Sequence, residues 1–155
     1  MLTKEIYDNY TAILKDELIE ALGCTEPIAI AYAAAKAKAV LGRQPERIEI
    51  GCSGNIVKNV KGVIVPNTGG LIGIEAAAIA GVIGGDADRE LQVLESVRKD
   101  QYKEIEKLIK EDYCKVYHLK GVENLYIEAK VYSGNVSAEV YISGSHTNII
   151  KIVKS

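Results

Sequence analysis

An α+β fold is predicted from this sequence, with N-terminal Ala- and Gly-rich helices followed by an antiparallel β-sheet. Three observations point there. Apolar residues recur at helical spacing from the N-terminus to Leu41, ending in the alanine-dense run Ile28–Leu41. The stretch Gly51–Gly85 holds nine of the fourteen glycines, a composition suited to sharp turns and close helix contacts. From Lys115 onward the chain changes to β-branched and aromatic segments separated by turn residues.

The elements follow in chain order. Thr3–Leu22 reads as an amphipathic helix on which Ile6, Tyr10, Ile13, Leu14, Leu18 and Ala21 recur at helical spacing, and Gly23 ends it. A second helix starts at Thr25, a good N-cap with Glu26 and Pro27 in the first turn. It runs to about Leu41, where Gly42 and Pro45 stop it. Arg47–Ile50 is a short strand. Asn55–Val65 is ambiguous between helix and strand, and the cluster from Pro66 to Gly70 is a turn. Leu71–Ile83 reads as a small-residue helix. Asp86 caps a further helix to about Lys99, and a charged helix with a solvated face follows to about Asp112. Strands are expected at Lys115–Leu119, Leu125–Tyr132, Ala138–Ser143 and Asn148–Val153, with Ser133, Gly134 and Asn135 forming a hairpin connection.

Bulk properties narrow the function. The chain has 155 residues, room for one domain that buries roughly 70% of its unfolded surface. Nineteen basic and twenty-one acidic residues leave a net charge of -2, which removes the electrostatic reason to expect nucleic acid or an anionic membrane as partner. The aromatic residues are nine Tyr with no Phe or Trp, so aliphatic side chains must fill the core. Ile28–Leu41, interrupted by Lys36 and Lys38, and Gly69–Gly85, rich in Gly and holding Glu75, fall short of the roughly 20 uninterrupted apolar residues of a membrane span, and the N-terminus is charged and polar almost at once. A cytoplasmic protein is expected. Cys24, Cys52 and Cys114 are odd in number and lack CxxC or Cys/His zinc spacing, which fits reduced thiols.

Four stretches carry the polar chemistry. Gly23-Cys24-Thr25-Glu26-Pro27 puts a thiol just before a helix N-terminus, where backbone N–H groups and the helix dipole favour thiolate. Such a thiolate can be a base, a nucleophile or a metal ligand; a buried Cys at a helix corner is the bland alternative. Glu26 opposes thiolate formation by its own charge. Ser53-Gly54-Asn55 with Lys58 resembles a loop that receives a carboxylate or phosphate, although it matches no nucleotide-binding fingerprint. Glu75 interrupts an apolar run and must find a partner, reach the surface or shift its pKa upward. Ser145-His146-Thr147-Asn148 sets donors and acceptors between two strands.

Together these stretches resemble a family. Gly23-Cys24-Thr25-Glu26-Pro27 before an Ala-rich helix, Ser53-Gly54-Asn55-Ile56 with Lys58-Asn59, Val65-Pro66-Asn67-Thr68-Gly69 with Gly73-Ile74 and Gly84-Gly85, and His146-Thr147-Asn148-Ile149 occur in that order. The chain resembles the N-terminal portion of L-cysteine desulfidases, relatives of the α-chain of iron-sulfur L-serine dehydratases, over nearly its whole length. The resemblance implies a PLP-independent lyase that converts L-cysteine to pyruvate, ammonia and hydrogen sulfide with a [4Fe-4S] cluster. It makes Cys24 the proton acceptor and Ser53, Gly54, Asn55, Lys58, His146 and Asn148 candidates to hold the substrate's carboxylate and amine. The three cluster cysteines of that family lie beyond the part resembled here. No metal ligand is therefore assigned within this chain, and residues 1–155 are read as one domain of a longer lyase, inactive without a C-terminal part or partner subunit. An oligomer acting on L-cysteine or L-serine is the expectation. The alternatives are a serine dehydratase-like component, a non-catalytic amino-acid or anion-binding module, and a Cys24 nucleophile served by His118 or His146.

Overall fold

The computed structural model describes residues 25–155. The expected helix Thr3–Leu22 and the candidate base Cys24 lie outside the described residues. Helix α1 (Thr25–Leu41) leads into strand β1 (Arg47–Ser53), followed by α2 (Gly54–Val60), α3 (Ile74–Gly84), two 3-10 segments (Ala87–Ser96 and Lys99–Gln101) and α4 (Tyr102–Lys110). Strands β2 (Cys114–Leu119), β3 (Tyr126–Ser133), β4 (Val136–Ser143) and β5 (Ile149–Lys154) complete the chain. The α+β class is as predicted.

The five strands form one sheet in the order β2-β1-β3-β4-β5. Pairs β1–β3, β3–β4 and β4–β5 are antiparallel, but β1–β2 is parallel, so the sheet is mixed. The reason lies in the connections. The β3–β4 hairpin reverses direction at Gly134, whereas β1 reaches β2 only through the intervening helices, a crossover that returns a strand in the same sense.

Burial alternates along β3, and the inward set of the central strands is Ile48, Ile50, Cys52, Ile127, Ala129, Val131, Ala138, Val140 and Ile142. Helices cover that face. The opposite face is open and carries an ordered polar row in which Glu49 pairs with Lys130 and Lys130 with Glu139 across the strands. The Lys130–Glu139 ion pair spans 3.3 Å, and the Arg47 guanidinium stacks 3.7 Å from the Tyr132 ring centroid.

Helices α1 and α3 are apolar nearly all round because both are core helices, enclosed by the sheet, each other and the segments that follow. Their alanines allow close approach, and one glycine sets how close. A Cβ on Gly81 would lie 2.9 Å from the Ala31 carbonyl carbon and Cα, closer than atoms can pack. Lys38 ties the same pair together by donating from Nζ to the Val82 carbonyl at 2.7 Å, and burial pushes its pKa down.

Three local expectations are refined. Gly54–Val60 is helical, capped by Ser53, and the chain turns after it, so the ambiguous segment is a short helix plus a bridge between Ile64 and Ile72. The continuous helix expected from Asp86 to Lys99 is instead a pair of tight 3-10 turns broken at Glu90, whose φ is 50°. The cause is a loop closure in which the Asp86 N–H reaches the Val93 carbonyl, which a straight helix cannot do. The Pro66–Gly70 turn is structural: Asn67, at φ 54°, donates from Nδ2 to the Leu94 and Val97 carbonyls and accepts from the Tyr102 hydroxyl.

Replacing Gly81 by Ala is expected to cost about 2–3 kcal/mol through overpacking against the Ala31 backbone. Urea denaturation of the two chains measures it, with Gly62→Ala, where nothing lies within 4 Å of the added methyl, as the control.

Candidate functional site

One end of the sheet gathers the polar stretches. Ser53 ends β1 opposite Leu119, the last residue of β2, while Tyr126 begins β3 opposite Ser143 at the end of β4. Ile149 begins β5 there too, opposite Ile142. The first turn of α1 reaches the same end, because Glu26 faces His146 in the β4–β5 loop.

Ser53 is buried and fully engaged: its Oγ accepts from the Ile56 N–H at 3.3 Å and donates to the Asn124 carbonyl. It builds the site by capping α2 and holding the β2–β3 loop. Gly54 is required by its neighbour, since a Cβ there would stand 2.7 Å from His118 Nε2. Asn55 and Lys58, three residues apart, present their exposed side chains on one side of α2.

The β4–β5 loop is stiffened from within. Asn148 donates from Nδ2 to the Ser143 carbonyl at 2.9 Å, and the Ser143 N–H returns to the Asn148 carbonyl at 3.2 Å. Gly144, at φ 86°, supplies the left-handed residue the bend needs, and its N–H binds the Leu125 carbonyl. Ser143 Oγ donates to Glu123 at 2.8 Å. These bonds hold His146 in place.

Within that rigid loop His146 Nε2 has less than 1 Å² of exposed surface and no hydrogen-bond partner among the described residues. Its nearest acidic neighbour is Glu26 Oε1 at 3.9 Å, beyond hydrogen-bond reach. The two side chains are only 30% and 16% exposed, so both are largely withdrawn from bulk water.

The sequence-level candidates therefore divide. Ser53 and Asn148 work as supports, Asn55 and Lys58 stand outward on α2, and His146 meets Glu26, which the sequence places in a helix's first turn but assigns no ligand role. His118 lies on β2 and His146 in the β4–β5 loop, with β1 and β3 between β2 and β4, about 14 Å at one strand spacing per step. Glu75 is half-buried at the start of α3, with no side-chain hydrogen bond among the described residues.

Cys52 and Cys114 lie on the inward side of β1 and β2 and are buried. Burial pushes the Cys52 thiol up to about 12 and the Cys114 thiol well above its usual range, with the Glu128 and Glu75 charges adding for Cys52 and Glu75 and Cys52 adding for Cys114. A [4Fe-4S] cluster takes at least three thiolates, and Cys52 and Cys114, the two cysteines among the described residues, are both closed inside the core. No described helix is long and apolar enough to cross a membrane.

The fold thus defines a two-layer α+β domain whose polar residues converge at one sheet end. Comparison with known proteins adds relatives. The chain is 50% identical over 148 residues to a UPF0597 protein of Finegoldia magna, covering 95% of this chain and 36% of that protein. It is 46% identical over 149 residues to one from Lachnoclostridium phytofermentans and 41% identical over 154 residues to one from Treponema denticola, again 36% of each. The chain therefore spans about a third of the length of the curated relatives it matches. No family model and no solved structure matches it.

The buried thiols have two measurable consequences. Iodoacetamide at neutral pH should leave Cys52 and Cys114 unmodified in the native chain and label both after denaturation, read by peptide mass spectrometry. Because both thiols have raised folded-state pKa values, the unfolded chain loses these protons first. Stability is then fully present below pH 9 and falls progressively as the pH rises from 9 toward 12, with both thiols contributing. Cys52→Ala flattens that alkaline slope in a denaturation series; an unchanged slope contradicts the assignment.

Proposed function

We propose that this chain is the N-terminal domain or subunit of an iron-sulfur L-cysteine desulfidase-like lyase, incomplete without the remaining two-thirds that its relatives carry. The observation that carries the reading is the meeting of Glu26 and His146. They belong to the first and last of the four motif stretches, and they face each other at 3.9 Å over the sheet end that also holds Ser53 and Gly54.

The reaction is a β-elimination. A base takes the Cα proton of L-cysteine, the Cβ–S bond breaks, and hydrosulfide leaves. The resulting aminoacrylate takes up water to give pyruvate and ammonia. Cys24, two residues before Glu26, is the proposed base; a positioned base of this kind is worth about 100-fold or more. Glu26 and His146 would hold the substrate's amine at the sheet end whose loops Ser53 and Asn148 brace, while Asn55 and Lys58 offer the polar groups to receive its carboxylate. The described residues do not fit a cluster, so its thiolates would come from the remaining part of the protein. That part is the proposed partner, in a cytoplasmic assembly. It would also cover the half-exposed Ile150 and Ile152 on edge strand β5.

The test joins this chain to the additional length found in its relatives, reconstitutes the cluster anaerobically and measures sulfide and pyruvate from L-cysteine, with L-serine in parallel. Sulfide release that falls about 100-fold or more in Cys24→Ala is the expected result. A fully loaded protein that releases neither sulfide nor pyruvate overturns the assignment, and pyruvate from L-serine alone moves it to the dehydratase side.

A further inference from the structure

We infer that Glu26 and His146 form a subsite for the primary ammonium group of an amino acid. The inference rests on the functional reading for its choice of ligand, but its geometry is independent of the reaction.

A buried polar nitrogen without a partner is uncommon in a folded protein, and each instance calls for a ligand, a water or a missing group. His146 Nε2 is such an atom, held by a loop whose own hydrogen bonds are satisfied. Opposite it stands a carboxylate oxygen at 3.9 Å. In the neutral tautomer protonated on Nδ1, which we assign to His146, Nε2 is an acceptor, and an ionised carboxylate is acceptor-only. Two acceptors at that separation repel unless a donor with at least two hydrogens lies between them. A nitrogen placed about 2.9 Å from both satisfies each at ordinary hydrogen-bond length. An ammonium group does this and also neutralises the carboxylate in a largely water-excluded place, where charge-assisted bonds are strongest.

Other groups fit less well. A carboxylate or phosphate would place a third acceptor between two acceptors. A hydroxyl donates only one hydrogen. The side chains of Lys36 and Lys38 do not take the role: Lys38 binds the Val82 carbonyl from α1, and no ion pair joins Glu26 to any lysine among the described residues. Among these groups the ammonium alone brings both a positive charge and more than one donor hydrogen.

The test uses the chain with ¹³C-labelled histidine and follows the His146 ring by NMR. The probes are L-alanine, which cannot undergo the elimination, methylammonium, which lacks the carboxylate, and propionate, which lacks the amine. L-Alanine and methylammonium should move the His146 ring signals, and propionate should leave them in place. Glu26→Gln should weaken L-alanine binding by about tenfold or more, the size expected when a hydrogen bond to a charged group is lost. An unchanged far-UV circular dichroism spectrum and urea midpoint establish that the variant is folded. The proposal is overturned if propionate acts like methylammonium, if Glu26→Gln binds L-alanine as the parent does, or if His146 answers none of the probes and is occupied by water alone. Failure of the sulfide assay with a positive NMR result would remove the lyase reading and leave this subsite standing.

Discussion

The architecture depends on one close contact, Gly81 of α3 against the backbone of Ala31 in α1. Without a side chain at that point, two nearly all-apolar helices can lie flush and share the space above a single sheet face. Alanine keeps both helices thin on every side: Ala29, Ala31, Ala33 and Ala34 of α1 and Ala76, Ala77, Ala78 and Ala80 of α3 are fully buried. Small residues lose little side-chain entropy when ordered, so close helix packing is obtained at low conformational cost. Lys38 adds a directional bond to the Val82 carbonyl, which resists sliding of one helix along the other.

That packing reaches the functional end of the molecule. The position of α1 over the sheet determines where Glu26 stands, and the hydrogen-bonded β4–β5 loop determines where His146 stands. Neither residue could hold a 3.9 Å relation if its support were loose. Ser53, Gly54 and Asn148 serve the same end from within the site. Ser53 caps α2 and anchors the β2–β3 loop, Gly54 leaves room for His118, and Asn148 closes the loop that carries His146. Residues that look like ligand contacts in sequence can be the frame around a smaller contact set.

Much of the fold was legible in local pattern. The alanine run with Thr25, Glu26 and Pro27 at its start marks α1 to within its observed bounds, and the alternation in the last third marks β3 and β4. What local pattern does not contain is partnership across the chain. The parallel β1–β2 pair and the anchoring of Asn67 by Leu94, Val97 and Tyr102 depend on residues far apart in sequence, and the closure after Asp86 depends on a bond to Val93 that no helical period contains. The same limit applies to the site. His146 was legible as a loop histidine among hydrogen-bonding neighbours, but Glu26 was read through its neighbour Cys24, because nothing in the sequence pairs it with a residue near the other end of the chain. The signal that was present was Glu26 itself, an acidic residue at the first turn of a helix otherwise buried nearly all round.

The most direct measurement is a crystal structure of the completed protein, this chain with the further length its relatives carry, grown with L-alanine. The amino acid's nitrogen is predicted between Glu26 Oε and His146 Nε2, with its carboxylate toward the α2 end of the site and the Gly81–Ala31 contact intact. L-Alanine bound elsewhere, on the open sheet face or at the C-terminal end of α1, with Glu26 and His146 bonded directly to each other, would contradict the central claim.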